Sequence, residues 1–243
     1  NLMIDYLLVI PARYGSKRFP GKPLLDIKGI PMIIRTFNQC NKVVPRNKII
    51  VATDDKRIEF ICKKNNIKTI ITSKKCLTGT DRIAEVSKKI KKDFYINVQG
   101  DEPICNPTDI MKIIKYAKKF PNQIVNGFTQ IKDKKSFYST NIPKVVFSND
   151  NYLLYMSRAP IPSNKKKSFS KAWRQVCIYS FPYKALKSYV SVKKKTTIES
   201  IEDLESLRFL ELGYKVKMLK MSNKSIAIDI KEDLLKVRKL VKK

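Results

Sequence analysis

The chain opens with an apolar segment that leads directly into a basic, glycine-containing loop. Residues 6–10 are five consecutive apolar or aromatic residues bounded by turn formers, a pattern that predicts a buried strand. The loop at residues 11–23 contains two Gly, three Pro and four cations. Its glycines let the backbone come close to a ligand, and successive N–H groups can form an anion-binding nest. This combination predicts an α/β protein that binds the phosphates of a nucleotide.

Two common phosphate-binding loops do not match this segment. A P-loop needs four residues between its first Gly and Gly-Lys-Ser/Thr, but Gly15 and Gly21 are one residue too far apart. Pro23 also stands where the metal-binding hydroxyl would be. The G-x-G-x-x-G dinucleotide fingerprint is absent as well. Taken alone, the segment could also be a basic surface turn.

The absence of histidine restricts the chemistry that this chain can perform. With 243 residues and no His, it is long enough for one domain with a sizeable core but has no Ser-His-Asp or Cys-His nucleophile system. Histidine-ligated metal sites are excluded for the same reason. A metal would have to be held by carboxylates, which favours Mg²⁺ or Mn²⁺.

The formal net charge of +30 has two interpretations. It could serve a polyanionic partner such as nucleic acid or a membrane surface. It could also reflect the codon bias of an AT-rich genome, because Lys, Ile and Asn are abundant throughout the chain. The lysine runs at 165–167 and 193–195 lie beside Ser and Thr and are not interleaved with aromatic residues, as they tend to be in single-strand binders. This pattern therefore argues against nucleic acid as the main partner.

The cysteines and the hydropathy pattern predict a cytoplasmic protein. The five cysteines are scattered and include no C-x-x-C pair, which is typical of reduced thiols and not of a disulfide framework or a zinc site. No apolar stretch reaches membrane-spanning length, and no secretory signal pattern is present.

The first half of the chain alternates strands and helices. The pattern predicts strands at 6–10, 48–53, 67–72 and 94–98, and helices at 31–40, 56–65 and 80–90. Alternation at this spacing predicts an α/β fold with a mostly parallel central sheet and helices on both faces.

The second half is less regular. Residues 144–147 and 152–155 are predicted to form a β-hairpin, and further strands are predicted at 175–181, 215–221 and 225–230. Helices are predicted at 201–212 and 232–243, and residues 163–171 are predicted to be a mobile loop. We expect one domain over residues 1–243.

Two acidic residues are candidates for metal binding. In an open α/β sheet, ligands bind beyond the carboxyl ends of the strands, so the loop at 11–23, the end of strand 48–53 and residues 99–101 should converge. Asp101 follows a buried strand and a glycine, and a carboxylate facing a triphosphate requires a cation between them. Asp229 ends an apolar run and is the natural second ligand, although either Asp could instead cap a helix.

Five sequence blocks, in order, resemble the CMP-Kdo synthetases, which are 3-deoxy-manno-octulosonate (Kdo) cytidylyltransferases. The blocks lie at residues 10–23, 51–55, 78–82, 97–103 and 157–162 and read IPARYGSKRFPGKP, VATDD, TGTDR, NVQGDEP and SRAPIP. The resemblance covers essentially the whole chain. It implies a Rossmann-like nucleotidyltransferase with an inserted β-hairpin dimerisation region, a CTP-binding half at about residues 1–125 and a sugar-binding and dimerisation half at 126–243. The implied partners are CTP, an acidic 2-keto-3-deoxy sugar and a second copy of the chain.

The resemblance also implies roles for individual residues. The implied nucleotide-binding residues are Pro11, Ala12, Arg13, Ser16, Arg18, Lys22, Thr78, Gly79, Thr80 and Gln99. The implied magnesium ligands are Asp101 and Asp229, which form the implied catalytic set together with Arg13 and Lys22. The implied sugar-binding residues are Arg158, Gln175, Tyr179, Glu202 and Glu205.

The chain departs from the family pattern mainly where the sugar should bind. Cys76 and Gln175 stand where the family typically has His, and Ser206 stands where it has Gln. Residues 225–231 replace a glycine-rich approach to Val-Asp-Thr-Pro. The leading hypothesis is cytidylyl transfer from CTP to Kdo for lipopolysaccharide or capsule biosynthesis. The alternatives are the same transfer to 8-amino-Kdo or a nonulosonic acid, and a nucleotide- or RNA-binding module without turnover.

Overall fold

The computed structural model describes residues 4–15 and 19–241. Within these ranges, the strands are β1 Tyr6–Ala12, β2 Asp26–Ile27, β3 Ile30–Pro31, β4 Ile49–Thr53, β5 Thr69–Ile71, β6 Phe94–Val98, β7 Ile124–Gln130, β8 Lys144–Phe147, β9 Leu153–Ser157, β10 Trp173–Pro182 and β11 Val216–Lys220. The helices are α1 Met32–Asn41, α2 Lys56–Lys64, α3 Gly79–Lys89, α4 Pro107–Lys119, α5 Lys134–Tyr138, α6 Tyr183–Ser191, α7 Thr197–Glu202, α8 Ser206–Glu211 and α9 Lys231–Leu240. No helix of the described residues is long and apolar enough to cross a membrane.

One sheet runs through both halves of the chain. Its order is β11-β7-β10-β6-β1-β4-β5, and β8 and β9 extend it from β10. β1 pairs in parallel with β4 and β6, and β5 and β11 are likewise parallel to their neighbours. β10 is antiparallel to both β6 and β7. The predicted mostly parallel α/β sheet is therefore confirmed, with one antiparallel strand in its interior.

Side chains of β1 alternate between the two faces of this sheet. Leu8 and Ile10 belong to a core cluster that also contains apolar residues of α1, α2 and α4, such as Phe37. Leu7 and Val9 belong to a second cluster with residues of α3, α6 and α8. Because successive strand residues point to opposite faces, the continuous apolar run of β1 packs against the helices on both faces of the sheet.

A small third hydrophobic cluster packs helix α9 and the segment before it against β2 and the start of α1. Ile27 and Met32 pack there against Ile228 and against Leu234 and Val237 of α9. This contact brings the segment before α9 to the carboxyl edge of the sheet.

Most predicted elements are present, and the 144–155 hairpin forms as the antiparallel pair β8–β9. The single helix predicted at 201–212 is wrong. It is divided into α7 and α8 at Asp203, whose φ of 51° is in the left-handed region. The strand predicted at 225–230 is also wrong: these residues form an extended segment without ladder pairing, held by the Ile228 N–H donating to the Asp101 carbonyl at 3.0 Å.

The sequence analysis missed β2, β3, α4, β7, α5 and α6. Residues 163–171 contain neither helix nor strand, as expected of a loop. Of the helix predicted at 232–243, the last two residues lie outside the described range.

Candidate active site

A cavity of about 760 Å³ lies at the carboxyl edge of β1 and β6. It has the size of a small-molecule or cofactor site and lies where ligands of open α/β sheets bind. Of the predicted site residues, its lining contains Pro11, Ala12, Arg13, Lys22, Thr78, Gly79, Gln99, Asp101, Arg158, Gln175, Tyr179, Glu205 and Asp229. Residues far apart in the sequence are thus brought to one site.

Three predicted residues and one predicted segment need separate mention. Ser16 and Arg18 lie outside the described residues. Thr80 is fully buried directly behind the lining. The end of β4, which we expected at the site, is not among the described lining residues; its neighbour Asp54 instead accepts a hydrogen bond from Arg82, which does line the cavity, at 2.9 Å.

Gly100 lets the ends of β1 and β6 meet closely enough to form this site. A Cβ at Gly100 would lie 2.8 Å from the carbonyl oxygen of Pro11, which is closer than real Cβ atoms approach backbone. The glycine is required by this close approach, and it places Gln99 and Asp101 beside the loop after β1.

Lys22 lies between the two predicted metal ligands. Its Nζ donates to Asp101 Oδ2 at 2.6 Å and to Asp229 Oδ1 at 3.2 Å. Burial lowers the pKa of Lys22, but the two carboxylates outweigh that effect, so its pKa is raised. Both carboxylates therefore converge on one cationic position.

This pair has the chemistry of a site for a hard divalent cation. Carboxylate oxygens are the ligands that Mg²⁺ prefers, and one or two protein carboxylates are usual because phosphate and water complete its shell. Among the described residues, no group of three or more metal-ligating side chains is present. Asp101 and Asp229 fit a metal that is shared with a phosphate-bearing substrate.

Glu102 and Arg174 are site residues that the sequence analysis missed. Glu102 is 3% exposed and lines the cavity, and its Oε2 has no hydrogen-bond partner in the described part of the chain. Burial, followed by repulsion from Asp101, raises the pKa of Glu102 to about 8, and the charge of Arg174 partly opposes this shift. Arg174 is held by Asn223 Oδ1 at 3.0 Å. The position of Glu102 directly after Asp101 was the available signal.

The start of α3 forms a second corner of the cavity. Thr78 caps the helix, and its capping box with Asp81 satisfies the first N–H groups. Glu205 crosses from the start of α8 to this corner. Its Oε2 accepts the Thr80 N–H at 3.0 Å, and its Oε1 accepts the Gln99 side-chain amide at 2.9 Å. Burial raises the pKa of Glu205.

A buried ion network supports this corner from behind. The Arg208 guanidinium donates twice to Glu199, at 2.7 Å each, and once to Asp81 at 3.2 Å. The Tyr189 hydroxyl lies 3.1 Å from Thr78 Oγ1 and donates to Glu199 at 3.3 Å. The network connects α6, α7 and α8 to Thr78 and Asp81 at the N-terminus of α3, so it fixes the position of this corner of the cavity.

The opposite side of the cavity contains a chain of amides. Gln175 Nε2 donates to Asn126 Oδ1 at 3.0 Å and lies 3.5 Å from Ser206 Oγ. Asn126 in turn donates to the carbonyls of Val176 and Ile178, where β10 departs from regular pairing with β7. Two of the departures from the family pattern, Gln175 and Ser206, therefore lie together.

Tyr179 and Cys76 also line the cavity. Tyr179 is 3% exposed, and its burial holds the pKa of the phenol far above its ordinary value. Burial also raises the pKa of the Cys76 thiol to about 12, so it is neutral. Neither side chain carries charge at neutral pH.

Arg158 lies on the cavity wall but is extensively bonded to backbone. Its guanidinium donates to the carbonyls of Glu202, Asp203 and Thr140 at 2.7–3.1 Å. Its own carbonyl accepts from the buried Lys144 Nζ at 2.6 Å. The position of Arg158 is thus fixed on both sides.

Glu202, predicted as a sugar-binding residue, is placed behind the wall. It accepts the Arg158 N–H at 2.9 Å and the Tyr155 hydroxyl at 3.2 Å, and Ser157 also donates to it. It is not among the described lining residues of the cavity. Its contacts make it a support for the 157–158 turn, because the break between α7 and α8 turns its side chain toward β9.

The family model described as Cytidylyltransferase matches residues 7–226 of this chain. The 3-deoxy-manno-octulosonate cytidylyltransferase of Thermodesulfovibrio yellowstonii is 38% identical, over 94% of each chain. The 8-amino-3,8-dideoxy-manno-octulosonate cytidylyltransferase of Shewanella baltica is 35% identical, over 96% of this chain and 97% of that protein.

A solved structure agrees with these sequence matches. A CMP:2-keto-3-deoxy-manno-octonic acid synthetase complexed with CTP superposes with a TM-score of 0.88 at 34% identity, over 97% of both chains. The chain therefore belongs to the cytidylyltransferase family and, within it, to the CMP-Kdo synthetase group.

Proposed function

We propose that this protein transfers CMP from CTP to the anomeric hydroxyl of Kdo, giving CMP-Kdo and pyrophosphate. The observation that carries the proposal is the cavity itself. It joins the loop after β1, the corner at the start of α3 and the carboxylates around Lys22 in one site, in a chain whose relatives are named for this reaction.

Each side of the cavity has its own role in this proposal. Arg13 and Lys22, with Ser16 and Arg18, bind the triphosphate and offset the repulsion between two anionic substrates. Thr78, Gly79, Thr80 and Gln99 form the pocket for the base, next to Pro11 and Ala12. Arg158, Gln175 and Tyr179 face the acceptor, and Glu202 supports Arg158 from behind.

Asp101 and Asp229 would hold Mg²⁺ beside the phosphates. The bound ion would supply charge stabilisation for phosphoryl transfer and lower the pKa of the attacking hydroxyl. Lys22 donates to both carboxylates, and once these bind the metal its ammonium would donate to a phosphate oxygen beside them. No imidazole exists in this chain to act as a base.

Two other kinds of acidic sugar are alternative acceptors. Relatives at similar identity are named for Kdo and for 8-amino-Kdo. Gln175 and Ser206, which depart from the family pattern, are neighbours on the acceptor side. A pocket that reads hydroxyl groups through buried polar side chains can discriminate strongly between related sugars. We keep 8-amino-Kdo and a nonulosonic acid as alternative acceptors.

We also propose a homodimer formed through the β8–β9 hairpin and a cytoplasmic role in lipopolysaccharide or capsule biosynthesis. Leu154 on this hairpin is 63% exposed, which suits an interface. A nucleotide- or RNA-binding module without turnover is disfavoured, because such a protein would not need Asp101 and Asp229 at the phosphate position.

The test is pyrophosphate release with CTP and Mg²⁺, with Kdo, 8-amino-Kdo and N-acetylneuraminate offered separately. We expect turnover with Kdo, and near-complete loss of turnover in Asp101→Asn and Asp229→Asn. Asp93→Asn is the matched control, because Asp93 precedes β6 at the end opposite Asp101, is exposed and lies outside the described cavity lining. Release only with another acid would reassign the acceptor, and binding of RNA without any release would favour the binding module.

A further inference from the structure

The block VATDD begins inside β4 and has no residue among the described lining of the cavity. Its last residue, Asp55, caps α2, and its Oδ1 accepts the Arg57 N–H at 2.9 Å. The same carboxylate accepts two hydrogen bonds from the Arg57 guanidinium, from Nε at 2.9 Å and from Nη2 at 2.7 Å. A bidentate pair of this kind fixes the plane of the guanidinium. The end of β4 therefore holds an arginine in a defined orientation.

The Arg57 guanidinium lies over the ring of Tyr14 in the loop after β1. Its Cζ is 3.3 Å from the ring centroid, which is a cation–π contact. Tyr14 is half-buried and also packs against the core cluster that contains residues of α1 and α2. Neither Tyr14 nor Arg57 is among the described lining residues of the cavity, so this contact acts on the loop from outside the site.

Tyr14 and Gly21 form the neck of this loop, where its two described parts meet. The Gly21 N–H donates to the Tyr14 carbonyl at 2.9 Å. Gly21 has a φ of 70°, and a Cβ there would lie 3.1 Å from three atoms of the Tyr14 side chain. Arg13 and Lys22, which both line the cavity, directly precede and follow these two residues in the sequence. The position of the Tyr14 ring therefore sets where both cations enter the cavity.

We propose that Arg57 is a positioning residue for the triphosphate of CTP. Oriented by Asp55, it holds the Tyr14 ring in place, and the neck of the loop then presents Arg13 and Lys22 to the phosphates. This rests on the proposed function in one respect only, namely that these two cations bind the triphosphate. It gives the block at 51–55 a role that requires no contact with either substrate.

The experiment is to measure the affinities for CTP and CMP with Mg²⁺ and without any acceptor, in the native chain and in Arg57→Met. Calorimetry gives the affinity for CTP, and displacement of CTP gives that for CMP. CMP lacks the two outer phosphates, so the ratio of the two affinities reports on how the loop binds the triphosphate. We expect this ratio to fall about fivefold, because a cation–π contact can bias the loop by no more than its own free energy. The melting temperature should stay close to that of the native chain, because the Arg57 side chain is 60% exposed.

Lys56→Met is the matched control for the loss of one positive charge. Lys56 is exposed and directly precedes Arg57 in α2, but the ring of Tyr14 is contacted by Arg57 and not by Lys56. This variant should leave the ratio of CTP to CMP affinity unchanged. An equal fall in Lys56→Met and Arg57→Met would show that long-range charge is the cause, and it would overturn the inference.

Two substitutions of Tyr14 test the same contact from the other side. Tyr14→Phe keeps an aromatic ring beneath Arg57 and should keep the ratio of CTP to CMP affinity. Tyr14→Leu removes the ring and should lower the ratio as Arg57→Met does. The double variant Tyr14→Leu, Arg57→Met should be no worse than Tyr14→Leu alone, because both changes remove one contact. Additive losses in the double variant would contradict the inference.

An unchanged ratio in Arg57→Met, or an equal loss of affinity for CTP and CMP, would overturn the inference. Because the measurement contains no acceptor, a ratio that Arg57→Met lowers and Lys56→Met does not would support the inference even if no acid were turned over and the proposed function failed. Turnover of Kdo together with an unchanged ratio would leave the proposed function standing and remove the role of Arg57.

Discussion

Arg208 and Glu199 form an ion pair with two parallel hydrogen bonds of 2.7 Å, and both side chains are fully buried. The Arg208 guanidinium also lies over the Tyr189 ring, 3.8 Å from its centroid. Since the same guanidinium bonds Asp81 beside the N-cap of α3, this pair connects the stability of the fold with the shape of the cavity corner that we propose binds the base.

We expect Arg208→Met to destabilise the protein by about 3–5 kcal/mol, because it leaves the carboxylate of Glu199 buried without its partner. Urea unfolding followed by circular dichroism measures this. The double variant Arg208→Met, Glu199→Gln should regain part of the lost free energy of unfolding. The amide introduced by Glu199→Gln can still accept the Thr196 N–H and carries no charge. A double variant as unstable as the single one would show that the unpaired charge is not the cause.

Gly79→Ala should separate stability from nucleotide binding. Alanine in the first turn of α3 has a better helix propensity than glycine, so the melting temperature should stay the same or rise. Its Cβ would push the Gln99 amide, which lies 3.0 Å away, so CTP affinity should fall about tenfold or more. Thermal denaturation and nucleotide calorimetry on the same sample test both statements. Unchanged CTP affinity would show that Gln99 shifts without consequence.

Gln175→Leu should act on the acceptor and not on CTP. It removes the amide beside Ser206 and leaves Asn126 Oδ1 without its donor, at a cost of about 1–3 kcal/mol in the free energy of unfolding. We expect the KM for the acceptor to rise and the KM for CTP to stay unchanged, in steady-state pyrophosphate release. A change confined to the KM for CTP would contradict the assignment of this side of the cavity.

Lys144 should titrate at unusually low pH. Burial, followed by the nearby charge of Arg158, lowers its pKa from 10.5 to about 8, and Glu202 partly opposes this shift. Between pH 8 and 10.5 the unfolded chain therefore binds more protons at this residue than the folded one, so the contribution of Lys144 to stability rises with pH over that window. Selective ¹³C labelling of lysine followed by NMR titration reads the pKa directly. A value near 10.5 would show that the ammonium keeps its hydration.

The side of the cavity that we propose binds CTP could be predicted from the sequence because its signals are local. The continuous apolar run of β1, the block around Gln99 and the capping residue Thr78 each specify a structure within a few residues. Parallel strands then bring their carboxyl ends together, and Asp101 accordingly lines the cavity.

The structure of the side that we propose binds the acceptor was harder to predict, because tertiary contacts determine where its helices and strands end. The helical sequence pattern of 201–212 continues through Asp203. In the structure, the carbonyls of Glu202 and Asp203 accept hydrogen bonds from the Arg158 guanidinium, and the helix is interrupted there. The apolar residues at 226 and 228 look like a strand, yet they bury themselves against α9 and the loop after β1. Neither contact leaves a signal within its own segment.

The antiparallel strand β10 has a consequence for how this protein can move. It is hydrogen-bonded along one edge to β6, which leads to Asp101, and along the other to β7, which carries Asn126. Rotation of the β6 side of the sheet against the β7 side would break backbone hydrogen bonds between β10 and both of its neighbours. We therefore expect the sheet to stay rigid. We expect any rearrangement around bound substrates in segments outside the sheet, such as the connection between α7 and α8.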